Sequence, residues 1–415
     1  MNRMKQLIIF LFIVSGLSVS ARKVADLVSE YGSVYTAYHY SPSEYTAAPK
    51  GYTPFYISHI GRHGTRYPVD EEYVRKGLRI LQRSDSIGAL SAEGKRLLRG
   101  YSQLDSASIG MYGMLCQRGV DEHKMIGKRM VANFPEVFGN PQRRKVRAIS
   151  TTVPRCVASA GNLCSALAGS APRMDISIVT GKEYTHLLCN EDGMKHVYKR
   201  AGRIADTCMK KLFDYDSFYR RIYTSLEKAY QCNPNKRTLV ESTFSNGTMA
   251  FFLGYDAMIN CFTPEEYRLA AVAYNNKMYF CHCNNPEVGP QRKHLSDALL
   301  EDYIKKTDEA VSSESPVAAD LRFSHDVGIM PFLTLIGLKE YNQSISCYEA
   351  SSIWNSSKLM SMATNIQMIF YRNAKNDVLV KFLLNEKESS LPEVKAYQGP
   401  YYRWKDVRAY WKSRL

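Results

Sequence analysis

A mixed α/β fold in two chain segments, with a smaller, mostly helical insert between them, is what this 415-residue sequence predicts. Three observations predict it. The run PFYISHI over 54–60 is apolar, β-branched and aromatic, and reads as a buried strand that stops at Gly61. From about 174 to 306 strand signals thin out and long helical patterns take over. Strand signals return at 321–324 and again over 377–384, DVLVKFLL.

The elements follow in chain order. One helix is expected over 70–82 and another over 122–134, ahead of Pro135. Arg143, Arg144 and Lys145 lead into a second strand, 146–150, and a small-residue helix over 155–167 follows it. Inside the insert, Thr263 as N-cap, Pro264 at the first helical position and Glu266 at the third start a helix. A further helix is expected over 296–311. Behind the 321–324 strand, Ile329, Phe332, Leu333 and Ile336 recur at helical spacing. The chain thus divides into a leader (1–21), a first core segment (22–173), the insert (174–306) and a second core segment (307–415).

Composition narrows the class. Hydrophobic residues at 45% and charged residues at 23% exclude a disordered or collagen-like chain. A mean hydropathy of −0.32 excludes a multispan membrane protein. With 55 Lys and Arg against 40 Asp and Glu, the net charge is +15, a field that attracts anions. Nucleic acid is not the expected partner, because the N-terminus reads as a secretory signal. Arg3 and Lys5 precede an apolar run over 7–14, and Val19-Ser20-Ala21 offers a small-residue cleavage site. The run is too short to cross a membrane stably. The first cysteine is Cys116, so no lipid-bearing cysteine stands near the cleavage point. A secreted or periplasmic protein is expected. The ten cysteines then permit disulfides. Cys281-His282-Cys283 has no second ligand pair at zinc spacing and reads as disulfide-bonded or buried.

The sharpest local signal is Gly61-Arg62-His63-Gly64-Thr65-Arg66-Tyr67-Pro68, directly after the first strand. Open α/β sheets bind ligands at the carboxyl ends of their strands. Guanidinium forks match phosphate oxygens, and Gly64 lets the backbone approach a ligand. An imidazole between two cations has a lowered pKa and stays neutral and nucleophilic. His59, four residues earlier, shares no face with His63 once the turn at Gly61 intervenes, and reads as a core histidine. The sequons at Asn246, Asn342 and Asn355 matter only in a eukaryotic host.

Arg62-His63-Gly64-Thr65-Arg66-Tyr67-Pro68 resembles the RHGxRxP signature of the histidine acid phosphatases. The block from Ser150 to Ala160, with Arg155, resembles the family's second motif, and Phe323-Ser324-His325-Asp326 resembles its third. Phe382-Leu383-Leu384-Asn385-Glu386 and Tyr401-Tyr402-Arg403-Trp404 look like the bacterial relatives of multiple inositol polyphosphate phosphatase. Those phosphatases often carry His-Ala-Glu in the third block. His325-Asp326-Val327 here follows the acid phosphatases and histidine phytases instead.

The resemblance implies a core sheet flanked by helices with a helical cap, and a cleft between them. It implies that His63 attacks phosphorus and that Asp326 protonates the leaving oxygen. Arg62, Arg66, Arg155 and His325 would bind the phosphoryl oxygens, with no metal and no cofactor. The substrate expected is a small phosphomonoester, and the basic charge favours a polyanion such as phytate. A broad acid phosphatase or a sugar phosphatase is the enzymatic alternative. A phosphate-binding protein without catalysis is the alternative from another class.

Overall fold

The computed structural model describes residues 23–415 except Ser313 and Cys347; for residues 205, 206 and 208–210 it describes the backbone alone. The signal reading over 1–21 lies outside the described residues. Among the described residues, eight strands form one sheet: β1 Thr53–Arg62, β2 Lys145–Ser150, β3 Asp175–Thr180, β4 Val317–Ser324, β5 Asn365–Arg372, β6 Val378–Leu384, β7 Lys387–Ser389 and β8 Tyr401–Arg403. Their order is β3-β2-β4-β1-β5-β6-β7, with β8 on β6. Strands β3, β2, β4 and β1 run parallel, and β5 to β8 are antiparallel. Central parallel strands are buried on both faces and read as apolar runs, whereas the edge strand β3 is largely exposed. This is why β1 stood out in the sequence and why every residue of β4 is buried.

Helices cover both faces. Gln117–Asn133 and Pro154–Ser170 pack one side, through Ile126, Met130, Leu163 and Leu167 against Val146, Leu321 and Phe323. Asp297–Ala310, Asp326–Leu335 and Trp404–Lys412 close the other, through Leu299, Tyr303, Phe332, Trp404 and Trp411. Each such residue contributes roughly 1.5–3 kcal/mol by leaving water.

A separate hydrophobic cluster holds a helical layer together. It takes in Phe218, Tyr219, Leu239, Phe244, Tyr267 and Phe280 from the insert, but also Val28, Val74, Leu78, Leu97 and Leu104. The helices Glu71–Ser86 and Ala92–Ser108 therefore pack with the insert, although they precede it in the chain. In turn β3 starts at 175, inside the stretch read as helical, and pairs with β2. Both differences have one cause: amphipathic faces choose partners in space, and a boundary drawn along the chain cannot see them.

The disulfide expectation is not met among the described residues. Cys116, Cys156, Cys164, Cys189, Cys232, Cys261, Cys281 and Cys283 are free thiols. A chain of this length buries enough apolar surface to need no covalent staple. The thiols act as small core residues: Cys156 donates to the Ser324 carbonyl at 3.2 Å, and burial pushes the Cys281 thiol up to about 12. The Cys208 side chain and Cys347 lie outside the description. Asn246 is fully buried, so that sequon offers no site on the folded chain. Among the described residues, no helix is long and apolar enough to cross a membrane.

Candidate active site

Three adjacent parallel strands deliver the site from their carboxyl ends. β1 ends at Arg62 and leads into His63. β4 ends at Ser324 and leads through His325 to Asp326, the first residue of the helix Asp326–Leu335. β2 ends at Ser150, three residues before the cap of the helix Pro154–Ser170, which carries Arg155. Arg62 lies opposite Ser324 in the β1–β4 register, so His63 and His325 emerge side by side. Their ring centroids are 5.5 Å apart at 63°.

The His63 backbone is held on both sides. Its N–H donates to the Ser324 carbonyl at 3.1 Å and its carbonyl accepts from the Ala363 N–H at 2.9 Å. Its Nδ1 lies 3.0 Å from the Gly64 carbonyl. A carbonyl only accepts, so Nδ1 carries the proton and Nε2 keeps a bare lone pair. Burial first, then Arg62, Arg155, Arg66 and His325, hold the His63 pKa well below its ordinary value. The ring is thus neutral, with a lone pair on Nε2, down into acid.

The following loop is stapled to the helix Gln117–Asn133. Glu122 accepts from the Thr65 N–H at 2.8 Å, the Thr65 hydroxyl at 2.6 Å and the Tyr38 N–H at 3.0 Å. Contact is so close that a Cβ on Gly64 would lie 2.7 Å from the Gly119 carbonyl oxygen. A Cβ on Gly119 would lie 2.1 Å from that of Thr65. Ser159 accepts from the Gly64 N–H at 3.2 Å. Glu122 and Gly119 were invisible as site residues in the sequence, since nothing local marks a helix that backs a loop. Gly119→Ala must push the loop off the helix. A loss in kcat on the order of a hundredfold is expected, with circular dichroism unchanged, because small misplacements of a reacting group cost that much.

The three arginines are brought together around His63, with different partners. Arg62 donates from Nη1 to the Val34 and Met360 carbonyls at 2.6 and 2.9 Å, and from Nη2 to Asp326 at 2.9 Å. Arg66 donates to the Tyr67 carbonyl at 2.8 Å and reaches Met249 of the helical layer. Arg155 donates to His325 Nδ1 at 3.4 Å. Among the described residues, the Nε–H groups of Arg62, Arg66 and Arg155 are all buried without an acceptor. Buried donors are costly to leave unpaired, and three guanidinium donors on one imidazole suit an anion. Burial first, then Arg66, lowers the Arg155 pKa to about 10.

His325 is neutral too, its pKa lowered to about 3 by burial and then by Arg155. Its Nδ1 accepts from Arg155, so Nε2 carries the proton toward the Thr151 hydroxyl, 3.2 Å away. Asp326 has its side chain 15% exposed, open to a ligand. Its Oδ1 accepts from the Val327 N–H at 3.0 Å. Burial raises its pKa while Arg62, His282, His325 and Arg66 lower it, and the carboxyl lies below its usual value. His59 does not enter the site. Its ring packs on Phe323, 5.5 Å between centroids, and over Gly61, where a Cβ would come within 2.9 Å of it. Among the described residues no group of three or more His, Cys, Asp or Glu is placed to hold a metal ion.

A neutral imidazole ringed by buried guanidinium groups at a sheet's carboxyl end suits a phosphate-bearing ligand, and the class of protein that this fold and site fit is the phosphatases. The family model of the histidine phosphatase superfamily (branch 2) matches residues 57–385, and the chain belongs to that family. It is similar to human multiple inositol polyphosphate phosphatase 1, at 22% identity across 86% of this chain and 80% of the human one. The fold is similar to that of Bifidobacterium longum multiple inositol polyphosphate phosphatase, with a TM-score of 0.76 and 18% identity, covering 91% of this chain and 96% of that one. It also resembles the D. castellii phytase, with a TM-score of 0.68 and 14% identity over 94% of this chain and 85% of that one.

Proposed function

We propose that the protein is an exported phosphomonoesterase that hydrolyses inositol polyphosphates such as phytate through a phosphohistidine on His63. One observation carries the mechanism: Nδ1 of His63 is tied to the Gly64 carbonyl, which leaves Nε2 as the attacking atom. Nε2 displaces the alkoxide from phosphorus while Arg62, Arg66, Arg155 and the His325 ring stabilise the charge on the phosphoryl oxygens. Asp326 gives the leaving oxygen its proton. Arriving phosphate brings negative charge beside this carboxyl and raises its pKa, which lets a group that is ionised in the free enzyme act as an acid. The same carboxylate then draws a proton from the water that hydrolyses the phosphohistidine. Arginines supply the charge stabilisation in each step, so EDTA is expected to leave turnover unchanged.

The substrate class rests on a different support. The net charge of +15, which stays strongly positive after the two leader cations Arg3 and Lys5 are removed, favours a polyanion, and the named relatives act on inositol polyphosphates or are phytases. The B. longum enzyme has also been solved with inositol hexasulfate, a sulfate counterpart of phytate. Export is supported by the sequence of residues 1–21. If remote cations meet the extra phosphates, those contacts are partly solvated and salt screens them. The kcat/KM on phytate should exceed that on a simple monophosphate at low salt. The advantage should shrink with ionic strength, mainly through KM. A monophosphate preferred at every salt concentration would place the enzyme among the general acid phosphatases.

A further inference from the structure

Arg292 is a buried guanidinium of the insert, 2% exposed, at the end of the short helix Gly289–Arg292. Its Nη2 donates to the Val327 carbonyl at 2.6 Å and to His282 Nδ1 at 3.3 Å, and its Nη1 donates to the Asn190 carbonyl at 3.2 Å. Val327 follows the acid Asp326. In an α-helix its carbonyl would accept from the N–H four residues on, but that residue is Pro331, which has none. The helix that carries Asp326 therefore leaves a main-chain acceptor open in its first turn. A cation from another part of the chain fills it.

Val327 is tied at both ends. Its N–H donates to Asp326 Oδ1 at 3.0 Å, and its carbonyl is gripped by Arg292. His282, the last residue of the helix Pro264–His282, accepts from Arg292, which puts its own proton on Nε2. Tyr198 holds the His282 ring edge-on, with centroids 5.9 Å apart. His282 lies in the chain between Cys281 and Cys283, both free thiols. Burying a guanidinium is costly unless its partners need it. Here what it holds is the turn that aims the acid.

We propose that Arg292, oriented by His282, is a positioning residue for the general acid: by gripping the Val327 carbonyl it sets the angle at which the Asp326 carboxyl meets the leaving oxygen. The proposal rests on the reading of Asp326 as the acid. It assigns to the helical insert a part in the chemical step.

The test compares kcat on an alkyl phosphate, which needs a proton on its leaving group, with kcat on an aryl phosphate, which needs little. The ratio is taken within one preparation, so it does not depend on how much of a variant folds. Arg292→Met is expected to lower the alkyl-to-aryl ratio about ten- to a hundredfold, the size of effect small misplacements produce. Arg292→Lys, which keeps a donor, should recover part of the ratio. Pro331→Ala placed on Arg292→Met supplies the missing N–H to Val327 and should also recover part of it. An unchanged ratio in Arg292→Met beside a lowered ratio in Asp326→Asn would overturn the positioning role alone. An unchanged ratio in both would overturn the acid assignment, and the proposal with it.

Discussion

His63→Ala is expected to lower kcat/KM on every phosphomonoester by roughly ten-thousandfold or more, since in the proposed mechanism its removal forfeits the whole covalent route. The fold should survive. Among the described residues, the His63 side chain makes one hydrogen bond, to the carbonyl of its own neighbour Gly64. The loop is held instead by Glu122, which accepts from the Thr65 N–H and hydroxyl, and by the contact of Gly64 with Gly119. Removing a neutral ring also leaves the local charge unchanged. Circular dichroism and thermal unfolding, set beside steady-state kinetics, check both halves. Appreciable turnover in a purified His63→Ala protein would remove the phosphohistidine from the mechanism.

Asp326→Asn should behave differently on different substrates. Alkyl phosphates, inositol phosphates among them, should lose about a hundred- to ten-thousandfold in kcat, the span of general acid catalysis. Aryl phosphates leave as stable phenolates and should lose far less. The carboxamide can still accept from Val327 through Oδ1, and Arg62 keeps the Val34 and Met360 carbonyls. Equal losses on both substrates would make Asp326 a positional group only. The measurement is a plot of log kcat against leaving-group pKa for the wild type and the variant.

Much of this site was legible because its signals are local. The RHG loop follows an apolar strand, and β1 is buried from Phe55 onward, so the strand reads as a strand from its composition alone. The helix start at Thr263 was legible for the same reason. Its side chain accepts from the Glu266 N–H at 3.2 Å while the Glu266 carboxylate accepts from the Thr263 N–H at 2.8 Å. Local signals also located His325 and Asp326, between the end of β4 and the helix behind it.

What the sequence hid is non-local. β5, NIQMIFYR, is an apolar run that a helix could equally have used, and its partner β1 lies some 300 residues away in the chain by the register Ile57 with Ile369. β4 begins at Val317, ahead of the expected 321, because small Ala318 and Ala319 and the charged Asp320 read poorly as strand. Asp320 is nonetheless paired there with Arg147 at 2.7 Å. Arg62 looked like a phosphate ligand and nothing more. In the structure it pairs with Asp326, a bond between positions 264 residues apart. Glu122 and Arg292 share this character: each is a buried charge whose purpose becomes visible only with its distant partner in place.

The most direct test of the central claim is to trap the phosphoenzyme. Wild-type protein, mixed with a labelled phosphomonoester for milliseconds and denatured at alkaline pH, where phosphohistidine survives, would be digested and its phosphopeptides sequenced. The account requires alkali-stable, acid-labile phosphate on the peptide that spans the RHG loop, bonded to Nε2 of His63, at a level approaching one per active site. Label on another residue, or turnover through a burst with no labelled protein at all, would contradict it.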